Sequence, residues 1–259
     1  MFSPTRPISR RGFLSLALTL ASGALSPSRR ALGASRFPHF FFTQVRYRGG
    51  SWDPNPLFLE AMAQELELRT SIDVSRERRV TDLADPNLFF CPFLYMAGKY
   101  EFEPLTAQER EALRRYLTFG GFLFAEDTAG LKGYGFDRSF RAEMKKVLPG
   151  RDLTRLPADQ PVYQSFYLLH QIGGRQAVNP YLEGIAVDPW TPVLYSQNDL
   201  TGAWAREGSG KWVSECSPGG EAQRSQAFKA GINIVVYSLT SDYKRDLVHD
   251  PFLRKRLNP

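Results

Sequence analysis

Glu126 and Asp127 stand side by side at the end of an apolar run, Phe122-Leu123-Phe124-Ala125. Three other sets of polar groups also follow apolar runs: Trp52 with Asp53, Tyr95 with Lys99, and Ser196, Asn198 and Asp199 with Trp204 close behind. Carboxylates accept hydroxyl protons and aromatic rings stack on apolar faces, so such a set suits a polyhydroxylated ligand. Glycoside hydrolysis by two carboxylates needs them about 5–10 Å apart, and adjacency in sequence does not supply that separation. A structural use stands beside the functional one: Glu126 paired with an arginine, Asp127 capping the loop that follows.

Other chemistries find less support. A cysteine nucleophile sits on a sharp strand-to-helix elbow with a histidine to activate it. Cys91 is followed instead by Pro92-Phe93-Leu94, and His170 and His249 stand at no recognisable partner spacing. Cys91 therefore reads as strand packing. Cys216, in the turn-rich Ser214–Gly220, has no spacing that fixes a bridge to it. With 3 histidines and no close His/Cys/Asp spacing, no metal site is expected. Gly49-Gly50 matches neither the dinucleotide nor the P-loop pattern, and no cofactor is expected.

Alternating strands and helices must position these residues. The run from Phe37 to Tyr47 is aromatic and β-branched, as in a first buried strand. Asn55-Pro56 offers an N-cap and a first-turn proline to a helix with Leu59, Met62 and Leu66 on one stripe. Leu88–Tyr95 reads as a second strand. Thr106 and Glu109 form a capping box for a helix whose stripe is Leu113, Tyr116 and Leu117 and whose C-terminal cap is Gly120. Phe122–Ala125 is apolar without alternation, as in a central parallel strand. Asp137 can cap a further helix through Phe140, Met144 and Val147. Gln160–Leu169, Leu182–Val187 and Val193–Ser196 read as shorter strands, and Ser209–Gly220 as a mobile loop. Ala227–Leu239 fits a buried helix by length, with a strand at Ile234–Tyr237 as the alternative. This order predicts a three-layer, flavodoxin-like α/β fold with a mostly parallel central sheet. Its strand ends converge on one edge, where such folds bind ligands.

At 259 residues and 42% hydrophobic content the chain can bury a full core. The charge of +6 invites a nucleic-acid partner, but five arginines and no acid lie in residues 1–34. Without them 28 basic residues face 27 acidic ones, and no nucleic-acid surface follows. Arg10-Arg11-Gly12-Phe13-Leu14 resembles a twin-arginine export motif. The apolar run Phe13–Leu25 is too short to span a bilayer and suits a signal peptide cleaved after Gly33 or Ala34. An ordinary N-terminal arm or uncleaved anchor is the alternative. The expected organisation is a signal over 1–34, one domain over 35–259, and a membrane association limited to the uncleaved precursor.

Taken in order, several blocks resemble one bacterial family, the domain of unknown function DUF4159. They are Val45-Arg46-Tyr47 through Trp52-Asp53, Pro92–Gly98, Leu113–Leu117 with Gly120-Gly121-Phe122, Glu126-Asp127, Val162–Tyr167, Tyr195–Leu200 and Gly231-Ile232-Asn233. The resemblance implies a class I glutamine amidotransferase-like fold and brings no established activity. The expected function is an exported, periplasmic or cell-envelope module that binds a glycan-like ligand or a partner protein without catalysis. A carboxylate-dependent hydrolase or other carbohydrate enzyme is the alternative. The ligand-binding candidates are Trp52, Asp53, Tyr95, Glu126, Asp127, Ser196 and Asp199, with Asp127 expected to face a groove shared with Asp53.

Overall fold

The computed structural model describes residues 39–187 and 190–257, with side chains as far as Thr240. Residues 1–34, read above as an export signal, lie outside the described residues. The chain forms β1 (Thr43–Arg46), α1 (Leu59–Arg69), β2 (Arg79–Asp82), β3 (Phe93–Gly98), α2 (Ala107–Thr118), β4 (Phe122–Asp127) and α3 (Gly135–Val147). Then follow β5 (Thr154–Arg155), β6 (Glu183–Val187), β7 (Trp190–Ser196), α4 (Leu200–Trp204) and α5 (Gly220–Leu257). Single 3-10 turns lie at Leu88–Phe90 and Pro161–Gln164. All seven strands join one sheet in the order β2-β1-β3-β4-β7-β6-β5. The first five are parallel, and β6 and β5 close one edge antiparallel. The result is a mixed α/β fold on a mostly parallel sheet.

Successive strand residues point to opposite faces, and β4 shows what each face holds. Phe122 and Phe124 enter a core shared with Met62 and Leu66 of α1 and Ala227, Ile234 and Val235 of α5. Leu123 and Ala125 enter a second core with Leu113 and Leu117 of α2 and Phe140 and Met144 of α3. A large apolar side chain fully buried in this way contributes roughly 1.5–3 kcal/mol, so the central strand is anchored from both sides.

Local signals bring the chain into β4. Thr106 Oγ1 accepts from Glu109 N at 3.2 Å while Glu109 returns to Thr106 N at 2.6 Å, a complete capping box. At the other end of α2, Gly120 turns the chain at φ +111° and Gly121 N reaches back to Tyr116 O at 2.8 Å. Gly121 has no room for a side chain, since a Cβ would stand 2.3 Å from the Tyr116 ring. Tyr116 in turn ties the entry of β4 to the preceding turn, donating to Cys91 O at 2.7 Å and accepting from Phe122 N at 3.1 Å.

Several expectations are corrected. Leu88–Tyr95 is not one strand: Pro92 lacks an N–H for the ladder, Leu88–Phe90 makes a 3-10 turn, and β3 starts at Phe93. Cys91 therefore lies in a turn, half-buried, and it and Cys216 are free thiols. Gln160–Leu169 is not a strand either. Pro161 opens a 3-10 turn, and Asn233 of α5 holds the segment by accepting from Tyr167 N at 2.7 Å and donating to Val162 O at 2.8 Å. Ala227–Leu239 belongs to the long helix α5. Asn55 caps nothing with its side chain, because α1 begins at Leu59 after Phe58. Asp137 lies within the first turn of α3 rather than before it. Ser209–Gly220 is tied back by Arg224, which donates to Ser214 O at 2.8 Å and lies 4.2 Å over the Trp212 ring.

Candidate functional site

Glu126 and Asp127 do not emerge past the end of the ladder. Glu126 is in register with Ala97 on β3 and Ser196 on β7, and Asp127 with Gly98. Both are fully buried, and as neighbours on a strand they serve opposite faces.

On the α1/α5 face Glu126 joins residues from four other segments. Its Oε2 accepts from Tyr95 Oη at 3.1 Å, Thr201 Oγ1 at 2.8 Å and Thr201 N at 3.3 Å, while Oε1 accepts from Leu200 N. Tyr95 and Thr201 are themselves 2.7 Å apart. Asn55 Nδ2 bridges Thr201 Oγ1 at 2.9 Å to Asp199 Oδ1 at 2.7 Å. Asp199 also accepts from Gly202 N at 3.1 Å and from Arg175 Nε. The turn from β7 into α4 makes this assembly: Asp199 sits in the left-handed region at φ 55°, the one non-glycine residue with positive φ among the described residues. Aspartate tolerates that conformation better than most residues. There its backbone leads into Leu200 and Thr201 while its carboxylate caps α4.

Burial dominates the electrostatics. It pushes the Glu126 carboxyl up to about 8, helped by the charge of Asp199 and opposed by the hydrogen bonds from Thr201 and Leu200. Asp199 is raised by burial and held down in part by Arg175. The Tyr95 hydroxyl is raised far above its ordinary range, by burial first and by Glu126 next.

Asp127 belongs to a different network on the α2/α3 face. It accepts from Ala129 N at 3.0 Å and Leu131 N at 2.9 Å, with Gln197 Nε2 at 3.4 Å, and so caps the loop after β4. Burial raises its carboxyl, and the nearby Asp137 adds to the effect. Asp137 accepts from Tyr195 Oη at 2.7 Å, Arg141 Nε at 2.8 Å and Gly133 N at 2.6 Å.

The structure thus unites Tyr95, Glu126 and Asp199, and separates the rest. The expected groove shared by Asp53 and Asp127 does not form. Asp53 is bound on both oxygens by Arg78, at 2.5 and 2.8 Å, and among the described residues shares no hydrogen-bond partner with Asp127. Trp52 packs half-buried at the edge of the α2/α3 core, its carbonyl accepting from Gln44 Nε2 at 2.8 Å. Ser196 Oγ accepts from Asn198 N at 3.1 Å. Lys99 is exposed, its Nζ 5.5 Å from the Tyr100 ring. Trp204 is buried in the core against Phe58 and Phe228, away from any surface.

A strap, residues 172–179, covers this edge of the sheet. Asn198 clamps it from below: Oδ1 accepts from Val178 N at 3.0 Å and Asn179 N at 2.8 Å, and Nδ2 donates to Ile172 O at 3.0 Å. Arg175 on this strap reaches Asp199 and donates to Thr128 O at 3.1 Å. Gly174 lies so close that a Cβ would stand 2.0 Å from Asn198 O.

Open space lies elsewhere. A groove of about 510 Å³ is walled by Glu60, Arg76, Arg78, Arg206 and Glu207, with Leu57 among its apolar residues. Arg76 bonds Glu60 and Glu67, Arg78 holds Asp53, and Arg206 donates to Gln64 Oε1 at 2.6 Å. The groove presents alternating guanidinium and carboxylate groups. Among the described residues no group of three or more His, Cys, Asp or Glu side chains is placed to hold a metal ion.

Asn55, Arg175, Thr201 and Arg78 are the site residues that sequence reasoning missed. Asn55 carried a visible signal, an Asn-Pro pair, whose local capping reading hid its use. The other three acquire their roles only through contacts distant in sequence.

Fold and site together define a mixed α/β domain whose parallel strand ends are closed over a buried carboxylate cluster. Residues 41–239 match the domain of unknown function DUF4159, and the chain belongs to that family. No curated protein matches the chain.

Proposed function

We propose that this chain is an exported cell-envelope module that holds a polyhydroxylated, glycan-like ligand without transforming it. The seat is the groove between the start of α1 and Arg206. One contrast carries the reading: Glu126 and Asp127 are fully buried, while the groove offers solvent-exposed ion pairs such as Arg76 with Glu60. Adjacent hydroxyls of a sugar meet both needs, donating to Glu60 and accepting from Arg78. The parallel order β2-β1-β3-β4-β7 supports a flavodoxin-like, class I glutamine amidotransferase-like fold. Export rests on Arg10-Arg11 ahead of a short apolar run. Among the described residues no helix is long and apolar enough to cross a membrane.

The catalytic alternative draws on Glu126, whose carboxyl at about 8 is the kind that serves as a general acid. A general acid must also reach a substrate proton, and Glu126 has no exposed surface. Calorimetric titration with a panel of envelope oligosaccharides tests the binding reading. Arg78→Ala is expected to weaken binding by roughly tenfold or more, the scale of one lost charge-assisted contact. Unchanged binding in that variant, or turnover of a bound oligosaccharide, would overturn it. Capture of a protein partner in place of a glycan would also reject the ligand class.

A further inference from the structure

A second opening lies on the outer side of the strap, against the first turns of α5. It encloses about 320 Å³, and among the described residues that line it none is ionisable, in a chain where 23% of residues are charged. Its polar side chains are all carboxamides: Gln171, Asn179, Gln223 and Gln226. Ile172 and Ala222 add apolar surface. We propose that this pocket receives the acetamido group of an N-acetylated sugar. The site is separate from the arginine-walled groove and does not rest on the reading of that groove.

Charge excludes most alternatives. An ion entering a pocket without a counter-charge loses hydration and gains no partner. The side-chain carboxamides of Gln171 and Gln226 each carry one acceptor and two donors, which match the N–H and carbonyl of an acetamido group. The methyl group then has Ile172 and Ala222 to cover it.

The pocket is also organised in advance. Gln223 is immobilised: its Nε2 donates to Gly174 O at 2.6 Å and Ser217 O at 2.9 Å, and its Oε1 accepts from Gly219 N at 3.0 Å. Asn179 is oriented by its bond to Gln197 Oε1 at 3.0 Å. The amides of Gln171 and Gln226 have no hydrogen-bond partner among the described residues, so they are free to turn to a ligand. Gly173 lets the strap close on α5, since a Cβ there would stand 3.0 Å from Gln223 O. The volume is at the small end of ligand sites, which run from about 300 to 1,000 Å³, and fits one pyranose ring. A peptide bound by strand addition would need a free strand edge, and none of the residues lining this pocket lies in a strand.

The test is titration of the mature chain with N-acetylglucosamine, glucosamine and glucose, followed by calorimetry and thermal shift. N-acetylglucosamine is expected to saturate with a millimolar dissociation constant, the range open to a small neutral ligand. Glucose and glucosamine should bind roughly tenfold more weakly or worse. Ala222→Trp, on an exposed helical position, should fill the pocket and abolish binding with the melting temperature kept. Should that variant melt early, Gln226→Leu replaces it and is expected to lose roughly tenfold in affinity. Arg78→Ala should leave this binding intact. Three results would each overturn the proposal: no saturable binding by the folded chain, equal affinity for glucose, or full affinity in the pocket variant.

Discussion

Replacing Glu126 by Gln should change how stability depends on pH. The folded chain holds the Glu126 proton up to about 8, whereas the ordinary value is 4.5. Between those values the folded state binds a proton that the unfolded state releases, so stability falls as pH rises. The contribution is complete below about 4.5 and has been lost once pH passes about 8. At about 1.4 kcal/mol per pH unit the full span is worth at most about 5 kcal/mol. Asp199 and Asp127 are raised by the same cause and add to the slope in the same direction. A carboxamide has the shape of the protonated acid, so Glu126→Gln is frozen in the form that the fold prefers. Its cost near pH 5 should be small, roughly 1–2 kcal/mol for one mismatched donor. Near pH 8.5 the variant should exceed the wild type. The assay is urea denaturation of both proteins at half-unit steps of pH from 5 to 9, read as the difference between them. That difference must shrink and change sign with rising pH. Parallel curves, or a wild type that gains stability between pH 5 and 8, would refute the assignment.

Arg175→Ala should cost about 3–5 kcal/mol by leaving the buried Asp199 without its cation; a melting-temperature change within error would show the strap to be dispensable. Cys91→Ser should keep the fold and any ligand binding, because burial raises this thiol and the side chain serves as packing; the check is thermal melting together with titration of both proteins. Arg10→Lys with Arg11→Lys should hold precursor in the cytoplasm, and immunoblots of cell fractions showing normal export would reject the twin-arginine reading.

Signals confined to a few residues were legible. The Thr106/Glu109 box, the Gly120-Gly121 turn and the apolar run of β4 depend on neighbours within six residues, and each forms as expected. Runs whose fate depends on distant partners were not. Val162–Tyr167 has the composition of a strand, yet Asn233, more than sixty residues away, holds it in a turn. Leu88–Phe90 has the same composition, but Pro92 denies it the ladder. Tyr95, Glu126 and Asp199 could be named together because the parallel topology brings their segments side by side, but Tyr95 lies within β3 and Glu126 within β4 rather than past the strand ends. The partition of Glu126 from Asp127 follows from strand geometry alone once both are known to lie inside the ladder. Their exposure did not follow, because it depends on a strap whose conformation is set by Asn198 and Gln223.

That strap changes what the strand edge is for. In an open parallel sheet the carboxyl ends leave a crevice that a ligand can fill; here Arg175 reaches across that edge and supplies Asp199 with a positive charge. Removing Asp199 or Arg175 leaves the other without its counter-charge, and Thr201 and Asn55 link Glu126 to Asp199 by hydrogen bonds, so the three are coupled energetically as well as in space. An edge committed in this way stabilises the turn between β7 and α4, and the open space lies on the flanks. The groove beside Arg206 and the amide pocket beside Gln223 both lie next to segments that the cluster fixes: Arg206 follows α4, and Gln223 holds the strap at Gly174. Weakening the cluster should therefore loosen both openings, while filling either opening should leave the cluster intact.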